Sequence, residues 1–309
     1  MSSKKPKASN KTSLVFFGTG QTSVEALQCL AEDFEIELVI TKPPAQNSAG
    51  KLFKNQVQLW AEENEVNIIA PSNKSELATD VSGRDVKSRI GVVLDYGMII
   101  PEKVINIFPD GILNSHFSLL PKYRGADPIR SAILNGDEIT GVTIIRITPG
   151  LDDGPILTWA EQPIENMNAT ELREKLSNLN CALLPETIRL YLNQELEPVD
   201  QDPSQATQTA KTTKEDGRLN PNKTATQLER EVRAYAGWPK SYFEWQGKTY
   251  IIHKAEVSNT IVPIDELKVV EKKLYFGCRN GSLKILVIQP ANKSKMNAEA
   301  FINGLPITD

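Results

Sequence analysis

The stretch Leu113-Asn-Ser-His-Phe-Ser-Leu-Leu-Pro121 sets polar side chains in an otherwise apolar part of the chain. Asn114 and His116 are two residues apart. On a strand, positions i and i+2 face the same way, so one site would receive a carboxamide and an imidazole together. A second cluster, Gly150-Leu-Asp-Asp-Gly-Pro155, is rich in turn residues and could bring a carboxylate back over a sheet. No Ser or Cys sits in a nucleophile-elbow context, and Ser118 is a weak candidate. Asn, His and Asp can instead hold a developing oxyanion and move a proton. That set suits acyl transfer in which the substrate's own amine attacks. Both clusters also have a plain structural reading: a loop with satisfied side chains, and a turn that needs no other reason.

The flanking sequence alternates apolar runs with helical spacing. Ser13-Leu-Val-Phe-Phe17 reads as a buried strand ending in Gly18-Thr-Gly20, and Gln21–Ala31 carries apolar residues at helical intervals. Ser23 stands where a dinucleotide fingerprint would need its third glycine. Further strands are expected at 35–41, 67–70, 90–94 and 111–118, and helices at 51–63, 102–108 and 127–135. This alternation indicates an α/β fold with a doubly wound, mostly parallel sheet. Residues 141–148 and 154–163 read as two antiparallel strands joined by the Pro-Gly-Leu-Asp-Asp-Gly turn. Asn168-Ala-Thr-Glu171 is a capping box opening a helix to about Leu192. Residues 195–212 are polar and aperiodic and read as a linker. Beyond them, Thr224-Ala-Thr-Gln227 caps a short helix. Strand-like runs at 242–245, 249–253, 269–276 and 282–288 then predict a small β-barrel.

Composition narrows the field. The 34.3 kDa chain is long enough for two domains, and its 40% hydrophobic and 24% charged residues are those of a globular protein. No apolar run approaches the ~20 residues that span a bilayer, so no membrane role is expected. Residues 1–12 are basic and polar, lack the apolar core of a secretory signal, and read as a disordered tail. Cys29, Cys181 and Cys278 lie far apart, so a disulfide framework is not expected and a reducing cytoplasm fits. Two histidines and no CxxC leave almost no ligands for zinc, and no metal is expected. The net charge of −4 is uneven. Residues 206–309 hold 16 Lys+Arg against 11 Asp+Glu, and the rest holds 19 against 28. A basic C-terminal piece could attract a polyanion.

Asn114-Ser-His116 followed by Ser118-Leu-Leu-Pro-Lys-Tyr-Arg-Gly-Ala126 resembles the core motif of the folate-dependent formyltransferases. Gly141-Val-Thr-Ile144 leading into Gly150-Leu-Asp-Asp-Gly154, and Asp95-Tyr-Gly-Met-Ile-Ile-Pro101, resemble their other motifs, in the same order and spacing. Residues 226–239 (Thr-Gln-Leu-Glu-Arg-Glu-Val-Arg-Ala-Tyr-Ala-Gly-Trp-Pro) and Gln289-Pro-Ala-Asn-Lys resemble the C-terminal domain of the members that act on methionyl initiator tRNA. The glycinamide ribonucleotide branch lacks this module. The resemblance implies a formyltransferase-type Rossmann-like domain over 13–194, a linker over 195–212 and an OB-like, tRNA-binding β-barrel over 213–309. It implies formyl transfer from 10-formyltetrahydrofolate, a co-substrate, to the α-amine of methionyl initiator tRNA, by a cytoplasmic monomer.

The resemblance also implies site residues. Asn114, His116 and Asp152 would be catalytic; the family places one Asp directly after the Leu, which selects Asp152 over Asp153. Met98, Ile99, Ile100, Ser118, Leu119, Leu120 and Pro121 would line the folate site. Lys42, Lys51 and Lys54, on the segment that grips the acceptor end in relatives, would contact tRNA together with Arg124 and Arg233. Two rivals share the trio or the fold: a formyltransferase for an amino sugar nucleotide, and a non-catalytic RNA-binding relative.

Overall fold

The computed structural model describes residues 11–47 and 50–305. Most of the expected N-terminal tail therefore lies outside the described residues. In chain order the strands and helices are β1 Ser13–Gly18, α1 Gln21–Asp33, β2 Glu35–Ile40, β3 Ala45–Gln46, β4 Leu52–Phe53, α2 Gln56–Glu63, β5 Asn67–Ile69, α3 Lys74–Ser82, β6 Gly91–Leu94, α4 Glu102–Ile105, β7 Ile112–His116, β8 Arg124–Gly125 and α5 Pro128–Asn135. There follow β9 Ile139–Arg146, β10 Ile156–Pro163, α6 Ala169–Leu192, β11 Gln208–Thr209, α7 Ala225–Ala234, β12 Ser241–Trp245, β13 Lys248–Ser258, β14 Leu267–Val270, β15 Lys273–Cys278, β16 Gly281–Pro290, β17 Met296–Asn297 and α8 Ala298–Asn303.

The chain forms two compact units. One takes in the described residues up to Arg124, then Gly141–Gln162 and Lys175–Thr207; the other holds Gly125–Thr140, Pro163–Glu174 and the described residues from Gln208 onward. The units interleave along the chain. Helix α5 belongs to the second unit, where it packs on α7.

The first unit is built on a seven-stranded sheet in the order β10-β9-β7-β6-β1-β2-β5. Its pairs β1–β2, β1–β6, β2–β5 and β6–β7 are parallel, and β9 runs antiparallel to β7. Arg146 lies against Pro155 and Gly141 against Ala160, so β9 and β10 form the expected antiparallel hairpin. A parallel sheet is covered on both faces, and β1 shows why its apolar run is unbroken: Leu14, Val15, Phe16 and Phe17 are all fully buried. Val15 and Phe17 join Leu38, Val93, Val104 and Phe108 in one apolar cluster. The order reverses beside β1, and at such a switch point the strands' carboxyl ends frame a crevice.

The second unit carries the expected small C-terminal β domain, six antiparallel strands in the order β12-β13-β16-β15-β14 with β17 on β16. Leu228 and Val232 of α7 and Phe301 of α8 close its core over Phe243, Phe276 and Ile285. Both expected capping boxes are present. Asn168 and Glu171 exchange bonds at the start of α6, and Thr224 and Gln227 do so at α7.

Four expectations are corrected. Cys29 and Cys181 form a disulfide that ties α1 to α6 across 152 residues of sequence; only the packing of the two helices brings the thiols together. Cys278 alone remains a buried thiol, pushed up by burial. The helix expected from Lys51 begins at Gln56, because the Asn55 side chain accepts from the Gln58 N–H and caps it there. The run 269–276 is two strands, since Glu271 and Lys272 both take left-handed backbone conformations and make a tight hairpin turn. Finally, the segment read as a linker is partly packed. Val199 pairs with Ile156 through two backbone bonds, and Gln201 and Thr212 are buried.

Candidate active site

Strand β7 runs between β6 and β9, with Asn114 opposite both Val93 and Ile145, and His116 opposite Thr143. The two-residue period puts Asn114 and His116 on one face, where both meet a single carboxylate. Asn114 Nδ2 donates to Asp152 Oδ1 at 3.1 Å, and His116 Nδ1 lies 3.6 Å from Asp152 Oδ2. Ser115, between them, faces the other way and donates to Asn180 Oδ1 of α6 at 2.6 Å. His116 Nε2 is 2.8 Å from the carbonyl oxygen of Tyr123. A carbonyl only accepts, so the hydrogen of that bond sits on Nε2, and Nδ1 is the nitrogen turned to Asp152. The side chains of His116 and Asp152 are 7% and 16% exposed, so this cluster is largely shielded from water. Asp152 takes a left-handed backbone conformation, φ 49°, which costs an L-residue roughly 1–2 kcal/mol. Asp153 is exposed and accepts from Thr148 Oγ1, building the turn.

The residues expected to line the folate site fall on two loops of the same unit. In the loop after β7, Thr143 Oγ1 donates to the Ser118 carbonyl at 2.7 Å and accepts from the Leu120 N–H at 3.1 Å. Ser118 is fully buried and its hydroxyl is committed to the Lys122 carbonyl, so it shapes the loop from within. Leu119 and Pro121 are half-buried and Leu120 is buried. In the loop after β6, Met98 is half-buried, Ile99 is 54% exposed and Ile100 is buried. Tyr96 in that loop is buried, its hydroxyl has no partner among the described residues, and burial pushes its pKa up to about 12.

The expected tRNA contacts differ in exposure and in pairing. Lys42 is half-buried, and its ammonium sits where a Cβ on Gly97 would be. With φ of 68°, Gly97 needs glycine for its backbone as well. Lys51 and Lys54 are exposed on and beside the β3–β4 hairpin, whose residues 48 and 49 lie outside the described residues. Lys51 lies 5.4 Å from the Phe53 ring centroid, and Lys54 pairs with Glu62 at 2.7 Å. Arg124 is half-buried and gives Nε and one terminal N–H to Gln201 Oε1, at 3.0 and 2.7 Å. Arg233 in the second unit is largely neutralised: it meets the Glu229 carboxylate through two nitrogens and donates to the Met167 carbonyl. That pairing was visible as an i, i+4 spacing on a helix. Gln201, Thr207 and Asn180 were not foreseen, and Thr143 is marked only by lying in the Gly141–Ile144 motif. Each acts on a partner at least 23 residues away. Among the described residues no group of His, Cys, Asp and Glu could hold a metal ion.

Residues 12–188 match the family model for formyl transferase, and residues 211–306 match that for the formyl transferase C-terminal domain. The chain belongs to the formyl transferase family. This formyl transferase is 34% identical over 300 residues to a methionyl-tRNA formyltransferase of Chloroflexus aggregans, covering 94% of its own length and 97% of that protein's. It is 33% identical over 298 residues to one from a Sulfurovum species, covering 95% and 96%. Its fold is similar to that of an N-formyltransferase from Helicobacter canadensis in complex with folinic acid and dTDP-3-aminofucose. The TM-score there is 0.68 at 20% identity, over 92% of this chain and all of that one.

Proposed function

We propose that this formyl transferase moves the formyl group of 10-formyltetrahydrofolate to the α-amine of methionyl initiator tRNA, at the start of translation. The observation that carries the chemistry is the single Asp152 carboxylate reached by both Asn114 and His116. Two hydrogen-bond donors would hold the oxygen that turns negative as the amine adds to the formyl carbon. Asp152 would orient the imidazole and take the proton that the amine sheds, directly or through water. As the bond between the formyl carbon and N10 breaks, that proton would pass to N10 and the folate would leave. The loops at Met98–Ile100 and Ser118–Pro121 would hold the folate, Ile99, Leu119 and Pro121 by surface and Ser118 by shaping the backbone.

Residues 13–194 would carry the chemistry and residues 213–309 would hold tRNA. Lys51 and Lys54 are the better placed of the expected cations, because both are exposed; Lys42 and Arg124 would act from deeper positions. The two curated relatives at 33–34% identity over nearly this whole chain are named methionyl-tRNA formyltransferases, which favours tRNA over the amino sugar nucleotide bound by a fold neighbour at 20% identity. The protein would work as a monomer in the cytoplasm, where ribosomes are. The state of the Cys29–Cys181 pair would then follow the glutathione poise of that compartment.

The test is direct. The full chain is mixed with labelled 10-formyltetrahydrofolate and either charged initiator tRNA or a dTDP-amino sugar. Label should pass to the methionine amine. Transfer to the sugar alone would replace this reading with the rival one.

A further inference from the structure

We propose that Gln201 is a positioning residue for formyl transfer: it holds the Asp152 turn in its working geometry and links that turn to Arg124. The proposal rests on the assignment of Asp152 made above. Gln201 lies in the aperiodic segment after α6 and is 8% exposed. Its carboxamide makes four hydrogen bonds. Nε2 donates to the carbonyls of Asp152 and Gly154, at 2.9 and 2.7 Å. Oε1 accepts the two N–H groups of Arg124. The guanidinium can only donate and the carbonyls can only accept, so one orientation of the amide satisfies all four bonds and the flipped one satisfies none.

The same segment serves the other half of the pair. Thr207 Oγ1 accepts from the Tyr123 N–H at 2.8 Å, and the carbonyl of Tyr123 is the acceptor for His116 Nε2. Thus Gln201 holds the backbone of Asp152, and Thr207 holds the backbone that orients His116. Val199, paired with Ile156 through two 2.8 Å bonds, anchors the segment to β10. Asp152 needs such support because its left-handed backbone is unfavourable for an L-residue. Released, the turn could relax and move the carboxylate away from Asn114 and His116.

Two variants of the full chain test this. Gln201→Met keeps length and removes every hydrogen bond. It should lower kcat about 10–100-fold, as loss of an orienting outer partner does, with both KM values within about threefold and a displaced pH profile of kcat. Gln201→Glu keeps the acceptor for Arg124 but sets a carboxylate oxygen against two carbonyls. Its activity relative to wild type should be lowest at and above neutral pH and rise toward acid, where the introduced carboxyl gains a proton to donate. A Gln201→Met kcat within twofold of wild type overturns the proposal. So does a loss matched by the unfolded fraction with the pH profile unmoved, or a Gln201→Glu variant without acid recovery. Hydrolysis of 10-formyltetrahydrofolate without tRNA is followed in parallel. Wild-type protein inactive on charged tRNA would overturn the acceptor assigned above, and the hydrolysis rates of the three proteins would still decide Gln201.

Discussion

In the unit built on the parallel sheet, polar side chains from distant parts of the chain converge. Asn114 and His116 come from β7, Asp152 from the β9–β10 turn, and Gln201 and Thr207 from the segment after α6. In the antiparallel unit, charged side chains pair off two by two instead. Arg233 meets Glu229, Lys223 meets Glu231, Arg218 meets Glu244 and Lys284 meets Glu256. Pairing therefore takes up part of the positive charge of residues 206–309. Concentration suits chemistry, where a few oriented donors in a dry site act on one developing charge. A diffuse field suits a polyanion, which exchanges counterions wherever it lies.

This contrast can be broken or sharpened by measurement. The largest effect is expected at the convergent site. Asn114→Ala and His116→Ala should each lower kcat by roughly 10²–10³, read by single-turnover formyl transfer, while circular dichroism keeps the native signal. Near-normal turnover in either would remove the contrast at its root.

A smaller effect is expected for charge. Lys51→Glu combined with Lys54→Glu should weaken charged-tRNA binding and flatten its salt dependence. Each lost phosphate contact takes about 0.7–0.9 off the slope of log K against log salt. Arg218→Ser or Lys284→Ser alone should shift affinity less than about threefold, since exposed paired charges contribute little. Titration at several salt concentrations measures both, and a large loss from one second-unit variant would show a focused site there.

The smallest effect concerns Glu231 on α7, 4% exposed and with one carboxylate oxygen lacking a partner among the described residues. Burial raises its pKa above the usual carboxylate range, against the lowering effect of Lys223. A raised folded-state value means that the fold binds the proton more tightly than the unfolded chain. That contribution is full below the unfolded value and is lost as pH rises through the folded one. Glu231→Gln should therefore raise Tm by about 2 °C at pH 7 and leave it unchanged at pH 4, as thermal unfolding at the two values would show.

Much of this architecture is legible in the residues alone. The alternation of runs 13–17, 35–41 and 90–94 with helical spacing implies the parallel sheet. Asn168 and Thr224 announce their helices, since a cap and its partner are three residues apart and need no tertiary context. The turn between Glu271 and Lys272 escaped because it lacks the Gly or Asn that usually marks such a turn. Arg233, expected to contact tRNA, has its partner Glu229 four residues before it on the same helix.

The chain by itself determines that Asn114 and His116 share a face, because side-chain alternation along a strand follows from covalent geometry. It determines where helices begin for the same local reason. Only the folded molecule decides that Asp152 reaches that face, that Cys29 meets Cys181, and that a glutamine 49 residues beyond Asp152 holds the turn's backbone. Those contacts depend on how packed elements deliver distant segments to one place. A hydrogen bond or a disulfide forms only within a few tenths of an ångström of its proper geometry, and no local period carries that information.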